Sequence, residues 1–116
     1  MRRSMEAIRG LAQAPAELTL VLRPENVTLT EDAKNLLILT LGADKERIVQ
    51  GGAALLSAAK WTKDGVAIER ESEVGGGIKD KISLNEAGDL VLEREIDLMG
   101  RSVKGTMIYR RKPGGH

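Results

Sequence analysis

The chain has 116 residues, enough for one domain with a modest core, and its 18 basic side chains nearly cancel its 17 acidic ones, so no long-range field draws it to DNA, RNA or an anionic membrane. Cysteine and Phe are absent and the only aromatic residues are Trp61 and Tyr109, which excludes disulfides, thiolate chemistry and a stacking platform for single strands. The sole histidine, His116, follows Gly114 and Gly115 at the end of the chain and offers no base, nucleophile partner or metal ligand within the folded part.

Residues 1–15 are expected to form a short N-terminal helix or extension. Met5, Ile8 and Leu11 stand at helical spacing behind Ser4, a suitable cap, and Pro15 stops the pattern. From Glu17 the period changes to two, and β-rich runs alternate with turn residues as in sandwiches and barrels. Strands are predicted over 17–23, 26–30, 36–41 and 46–50, separated by Pro24, by the polar run 31–34 and by Gly42 to Lys45. The run 54–62 has helix-forming residues, yet Trp61 followed by Lys63, Asp64 and Gly65 reads as a strand entering a hairpin. Four further strands follow, over 66–73, 78–84, 89–98 and 101–111, with a turn at Gly75, Gly76 and Gly77 and another at Met99 and Gly100. Eight or nine strands with short connections predict an all-β fold, an antiparallel up-and-down barrel or nearly closed sandwich, over 16–112, with a disordered tail at 113–116.

Folding the hairpins about their turns predicts which residues share a face. With the glycine run at the apex, Glu71 falls opposite Lys81 and Glu73 opposite Lys79, while Glu95 comes near Lys104, all on the solvent side. The same parity turns Val66, Ile68, Ile82, Leu84, Leu90, Leu92, Ile96 and Leu98 inward, joined by Val103, Met107 and Tyr109. Arg70, Ser72, Asp80 and Arg94 interrupt this apolar face, with Ser72, Asp80 and Arg94 expected in one row near a barrel mouth.

A buried carboxylate requires a partner, which Arg94 and Arg70 supply to Asp80, with positive charge to spare. Two readings stay open: an anion anchor whose Arg forks grip the polar head of an apolar ligand, and a structural ion pair at the barrel end. Tyr109 is a candidate ligand donor or a core residue with its hydroxyl at the rim, and Trp61 is expected to pack as a lid on the barrel end. The three glycines join two strands and open no helix, so they lack the amide cradle of a phosphate loop. The run Arg110, Arg111, Lys112 is too short to imply a polyanion partner.

No catalytic pair assembles, since the serines lack a histidine and Asp80 is the only carboxylate placed inward; no cofactor or metal is implied. No run reaches the roughly 18 to 20 apolar residues of a spanning helix, and the start MRRSMEAIRGLAQAP lacks the apolar stretch of a signal peptide.

The segment from about Ala14 to Arg111 resembles bacterial lipocalin-like (calycin-like) small β-barrel domains of uncharacterised activity. The likeness is carried by LTLVLRPENVTLT, by Ala59, Lys60 and Trp61 within the run leading to WTKDGVAIERE, by ISLNEAGDLVLE and by MIYRR. It implies an up-and-down barrel and a periplasmic or envelope location, although this chain is poor in aromatics and carries no export signal. The expectation is therefore a non-enzymatic barrel binding a small apolar or amphiphilic ligand, with or without a carboxylate, through Arg70, Ser72, Asp80, Arg94 and Tyr109. The alternative is a structural or protein-protein interaction domain without a cavity, self-associating as a homo-oligomer.

Overall fold

A computed structural model describes residues 15–32, 35–50, 53–72, 75–98 and 100–110. The helix expected within 1–15 and the tail at 113–116 lie outside them. Within the described residues the period-two patterning becomes nine strands: β1 (Leu18–Leu22), β2 (Asn26–Glu31), β3 (Asn35–Thr40), β4 (Glu46–Gln50), β5 (Ala53–Trp61), β6 (Gly65–Ser72), β7 (Gly77–Leu84), β8 (Leu90–Leu98) and β9 (Arg101–Tyr109). Every strand pairs antiparallel with its neighbour in sequence except across the β3 to β4 connection.

Side-chain alternation explains these elements. In β2, Val27, Leu29 and Glu31 are buried and the residues between them are half-exposed, the two-sided pattern of a strand with one face on a core. The helix-forming run in β5 is a strand because Leu55, Ser57 and Ala59 are buried at every second position and both its edges are paired, to β4 and β6; tertiary pairing overrides weak local propensity. Asp32 follows the β2 strand at φ 53°, a left-handed conformation that Asp adopts more readily than most residues. Its Oδ1 accepts from the Glu17 N–H at 2.9 Å, so this turn also pins the start of β1. Gly65 opens β6 so close to β7 that a Cβ would stand 1.9 Å from the Ile82 carbonyl oxygen, a place only glycine fits.

The strands form two open sheets, β1-β2-β3 and β4-β5-β6-β7-β8-β9, and not the closed barrel that the sequence predicts. The reason lies at β5. Its edge is occupied by β4 from Ala53 to Ser57, which leaves β3 a single bridge, Leu41 to Ala59, backed by the Gly42 N–H donating to the Ala59 carbonyl at 2.8 Å. At the opposite seam no ladder joins β1 to β9 among the described residues. There the Tyr109 hydroxyl donates to the Pro15 carbonyl at 2.7 Å. The result is two antiparallel sheets packed face to face, joined by one bridge at β3 and β5 and by the Tyr109 hydrogen bond to Pro15.

Between the sheets Val27, Leu29, Leu37 and Leu39 of the first meet Ala59, Val66, Ile68, Ile82 and Leu92 of the second. Each large aliphatic side chain buried this way contributes roughly 1.5–3 kcal/mol. A second, smaller cluster joins Leu55 and Ile78 with Ile96 and Leu98. Four residues expected at the core or packed over it are instead exposed: Leu84, Val103, Met107 and Trp61. Trp61 is therefore no lid. The three strands of the smaller sheet cannot span the inner face of six, so the margins of the larger sheet stay open.

The β6 to β7 register also differs from expectation. Glu71 faces Gly77, not Lys81, while Lys79 faces Glu69 and Lys81 faces Ala67; Glu73 lies outside the described residues. The loop closes through Ser72 N–H to Gly76 and Gly75 N–H to Ser72, ahead of the expected glycine apex. Because the displacement is an even number of residues, every side chain keeps its face. Glu71 pairs with Lys45 instead. Around the β8 to β9 turn the expected pair forms, with Glu95 opposite Lys104 and their charges 3.5 Å apart.

Candidate functional site

Three of the five expected site residues converge. The inward series is Ile68, Arg70 and Ser72 on β6, Ile78, Asp80 and Ile82 on β7, and Leu92, Arg94 and Ile96 on β8. Register makes Asp80 the direct partner of both Ile68 and Arg94, with Arg70 opposite Ile78 and hence diagonal to Asp80. Arg94 grips Asp80 at two points, Nε to Oδ1 and Nη2 to Oδ2, both at 2.8 Å. Arg70 adds Nη2 to Oδ2 at 2.9 Å.

The fourth member comes from the other sheet. Glu31, at the end of β2, accepts through Oε1 from Arg70 Nη2 at 3.3 Å and from Arg94 Nη2 at 3.2 Å. Side-chain exposure is 0% for Arg70 and Asp80 and 5% for Arg94 and Glu31. Two guanidinium groups and two carboxylates thus balance, and the spare positive charge expected from the sequence is absent. Burial works against the Arg94 cation, but the hydrogen bonds and charge of Asp80, reinforced by Glu31, outweigh it and hold its pKa above the ordinary value.

The quartet is not at a barrel mouth. On β7, Asp80 lies between Ile82 of the larger apolar cluster and Ile78 of the smaller one, and on β8 Arg94 lies likewise between Leu92 and Ile96. It is an ionic layer across the interior. Ser72 does not share a row with Asp80 and Arg94; its partner on β5 is Leu55. Tyr109 packs against the larger cluster with its hydroxyl on the Pro15 carbonyl, the core placement with a rim hydroxyl. Burial first, then the nearby Glu31, Asp32 and Asp80 charges, raise the phenol above its ordinary pKa against the opposing pull of Arg94.

No family model, curated protein or solved structure matches the chain. Asp80 receives three N–H donors, which leaves its oxygens engaged and ill-placed to take a proton from a substrate. Among the described residues no group of three or more metal-ligating side chains forms, and no helix is long and apolar enough to cross a membrane.

Two surface depressions, of about 330 and 190 Å³, lie on the outer face of the larger sheet. The first is lined by Lys79, Lys81, Glu93, Glu95, Lys104 and Thr106, with Arg94 and Gly105 at its floor, and the second by Ala58, Ala59, Lys60, Ala67 and Glu69 with Gly42 and Ala43. In the first, register sets Lys79 against Glu95 and Lys81 against Glu93, so the lysines face carboxylates and form no anion cradle.

Glu31 is the residue that sequence reasoning placed wrongly, in a turn. One signal was available: it continues the inward parity of Val27 and Leu29 by one more step. Ser57, buried on the same inward parity of β5, is legible only once that run is known to be a strand.

Proposed function

We propose that this chain is a non-enzymatic β scaffold that acts through its surface, its interior closed by a mutually neutralised ionic layer. The observation that carries this reading is the quartet itself. Arg70 and Arg94, the groups that would grip a ligand carboxylate, already hold Asp80 and Glu31 within 3.3 Å. A ligand head would have to displace a buried carboxylate to reach them, and breaking one such partnership costs about 3–5 kcal/mol. Apolar side chains of both sheets fill the larger cluster beside it.

Titration with a long-chain fatty acid, read by calorimetry and by native mass spectrometry of the purified protein, tests the reading. No saturable binding and no co-purifying small molecule is expected. A one-to-one complex whose affinity falls in Arg94→Lys would overturn it.

The lipocalin-like alternative has one observation in its favour. Gly105, opposite Arg94, has open space where a Cβ would stand, and with Val103 and Met107 it leaves an exposed apolar strip beside that arginine. An amphiphile lying there would meet Arg94 at its carboxylate, and the same titration detects it.

A further inference from the structure

We infer that β9 is a self-association edge, on which β9 of a second copy of this chain pairs antiparallel about a two-fold axis through Gly105. The pairing rests on the reading of the chain as a surface-acting scaffold and names its partner.

β9 is one of the three longest strands, with nine residues, and at about 3.4 Å per residue its outer edge is roughly 30 Å long. It ends its sheet, and no described residue pairs with that edge. Native sheets blunt an exposed edge with short strands, proline, bulges or inward-pointing charge. β1 and β4 are short, with five residues each. β9 is not, and it contains no proline. Its ladder to β8 is unbroken from Leu90 and Tyr109 to Leu98 and Arg101, so it has no bulge. Arg101 at the start of the strand is the one charge at inward parity; the central inward positions, Val103, Gly105 and Met107, carry none, and Val103 and Met107 are 62% and 44% exposed. Lys104 is the one protective residue in mid-strand, and Glu95 of its own sheet already faces it.

The sequence of β9 is self-complementary about Gly105. Centred on Gly105, Val103 of one copy faces Met107 of the other, Lys104 faces Thr106, Ser102 faces Ile108 and Arg101 faces Tyr109. No like charges oppose each other. Centred one residue earlier, two lysines would meet on the axis at a cost. In the Gly105 register the exposed Val103 and Met107 extend the inward apolar rows of Ile96 and Leu92 into the neighbouring copy, and the edge amides and carbonyls gain partners.

Sedimentation of the full chain over a wide concentration range, with two sets of variants, tests the pairing. The wild type is expected to approach twice the mass of one chain. Val103→Lys with Met107→Lys sets like charges against each other across the axis and should hold the protein monomeric. Val103→Lys with Met107→Glu sets opposite charges there and should restore the dimer. Both positions are exposed, and far-ultraviolet circular dichroism checks that each variant folds.

The chain has no cysteine, so an introduced thiol is unique. Directly opposed Cα atoms in antiparallel strands stand about 4.5–5.5 Å apart, within disulfide range. Gly105→Cys should oxidise to a covalent dimer, and Val103→Cys, about four residues out of register with its counterpart, should not. A monomer at all concentrations, a dimer indifferent to the charge variants, chains longer than two copies, or equal cross-linking by both thiols would each overturn the pairing. All four outcomes leave the fatty-acid test of the scaffold reading standing on its own result.

Discussion

Asp80 and Arg94 face each other across β7 and β8 and are joined by two parallel hydrogen bonds of 2.8 Å inside the protein. This is the fork geometry in which a guanidinium and a carboxylate compensate one another best for lost hydration. Removing the carboxylate charge by Asp80→Asn leaves two buried arginines facing Glu31 alone. The expected loss is about 3–5 kcal/mol, measured by denaturant unfolding followed through Trp61 emission. Glu31→Gln should cost less, because Glu31 is held at 3.2 and 3.3 Å where Asp80 is held at 2.8 and 2.9 Å. Equal losses would contradict the assignment of Asp80 as the centre of the layer.

The smaller sheet offers a comparison between its two faces. Leu29 is 1% exposed and packs in the core between the sheets, whereas Leu36 on the neighbouring strand is 54% exposed. Leu29→Ala is expected to lose about 2–5 kcal/mol through transfer and cavity effects. Leu36→Ala should stay within about 0.5 kcal/mol of wild type, as exposed substitutions do. Similar losses at both positions would mean that the outer face of this sheet is covered in solution.

Backbone approach decides a third outcome. A Cβ on Gly65 would overlap the Ile82 carbonyl oxygen at 1.9 Å, and that oxygen belongs to the backbone and cannot rotate away. Gly65→Ala must part β6 from β7 at the start of their ladder, at an expected cost of at least roughly 2 kcal/mol. Gly105→Ala has nothing within 4 Å of the added atom and should leave unfolding of the isolated chain nearly unchanged.

Tyr109 gives the molecule an alkaline limit. It is the only tyrosine, so phenolate absorbance follows this group alone, and its midpoint should lie above the ordinary value of about 10. Since the folded-state pKa is raised, the preference of the fold for the neutral phenol is complete below that ordinary value. It is lost as pH rises through the raised one. Ionisation also removes the proton donated to Pro15. Tyr109→Phe should cost about 0.5–1.5 kcal/mol at neutral pH and should flatten the stability profile in this alkaline window. A wild-type midpoint at or below the ordinary value would contradict the burial described for this side chain.

The amino-acid sequence by itself determined the strands and their faces. Alternation from Glu17 onward, with glycine and charged turns between the runs, places each element within a residue or two, because burial on one face of a pleated strand requires a period of two. It was enough to turn Arg70, Asp80 and Arg94 inward and to set Glu95 beside Lys104, since antiparallel neighbours joined by a short turn have few registers. Only the tertiary structure decided that Glu31 completes the quartet, that Ser72 stands apart from Asp80, and that the sheets stop short of a barrel. Those outcomes depend on which distant edge β3 meets and on how the smaller sheet lies across the larger one. Packing between segments far apart in the chain leaves no period in the sequence to read. The single inward step from Leu29 to Glu31 reveals its meaning once the arginines it faces are in place.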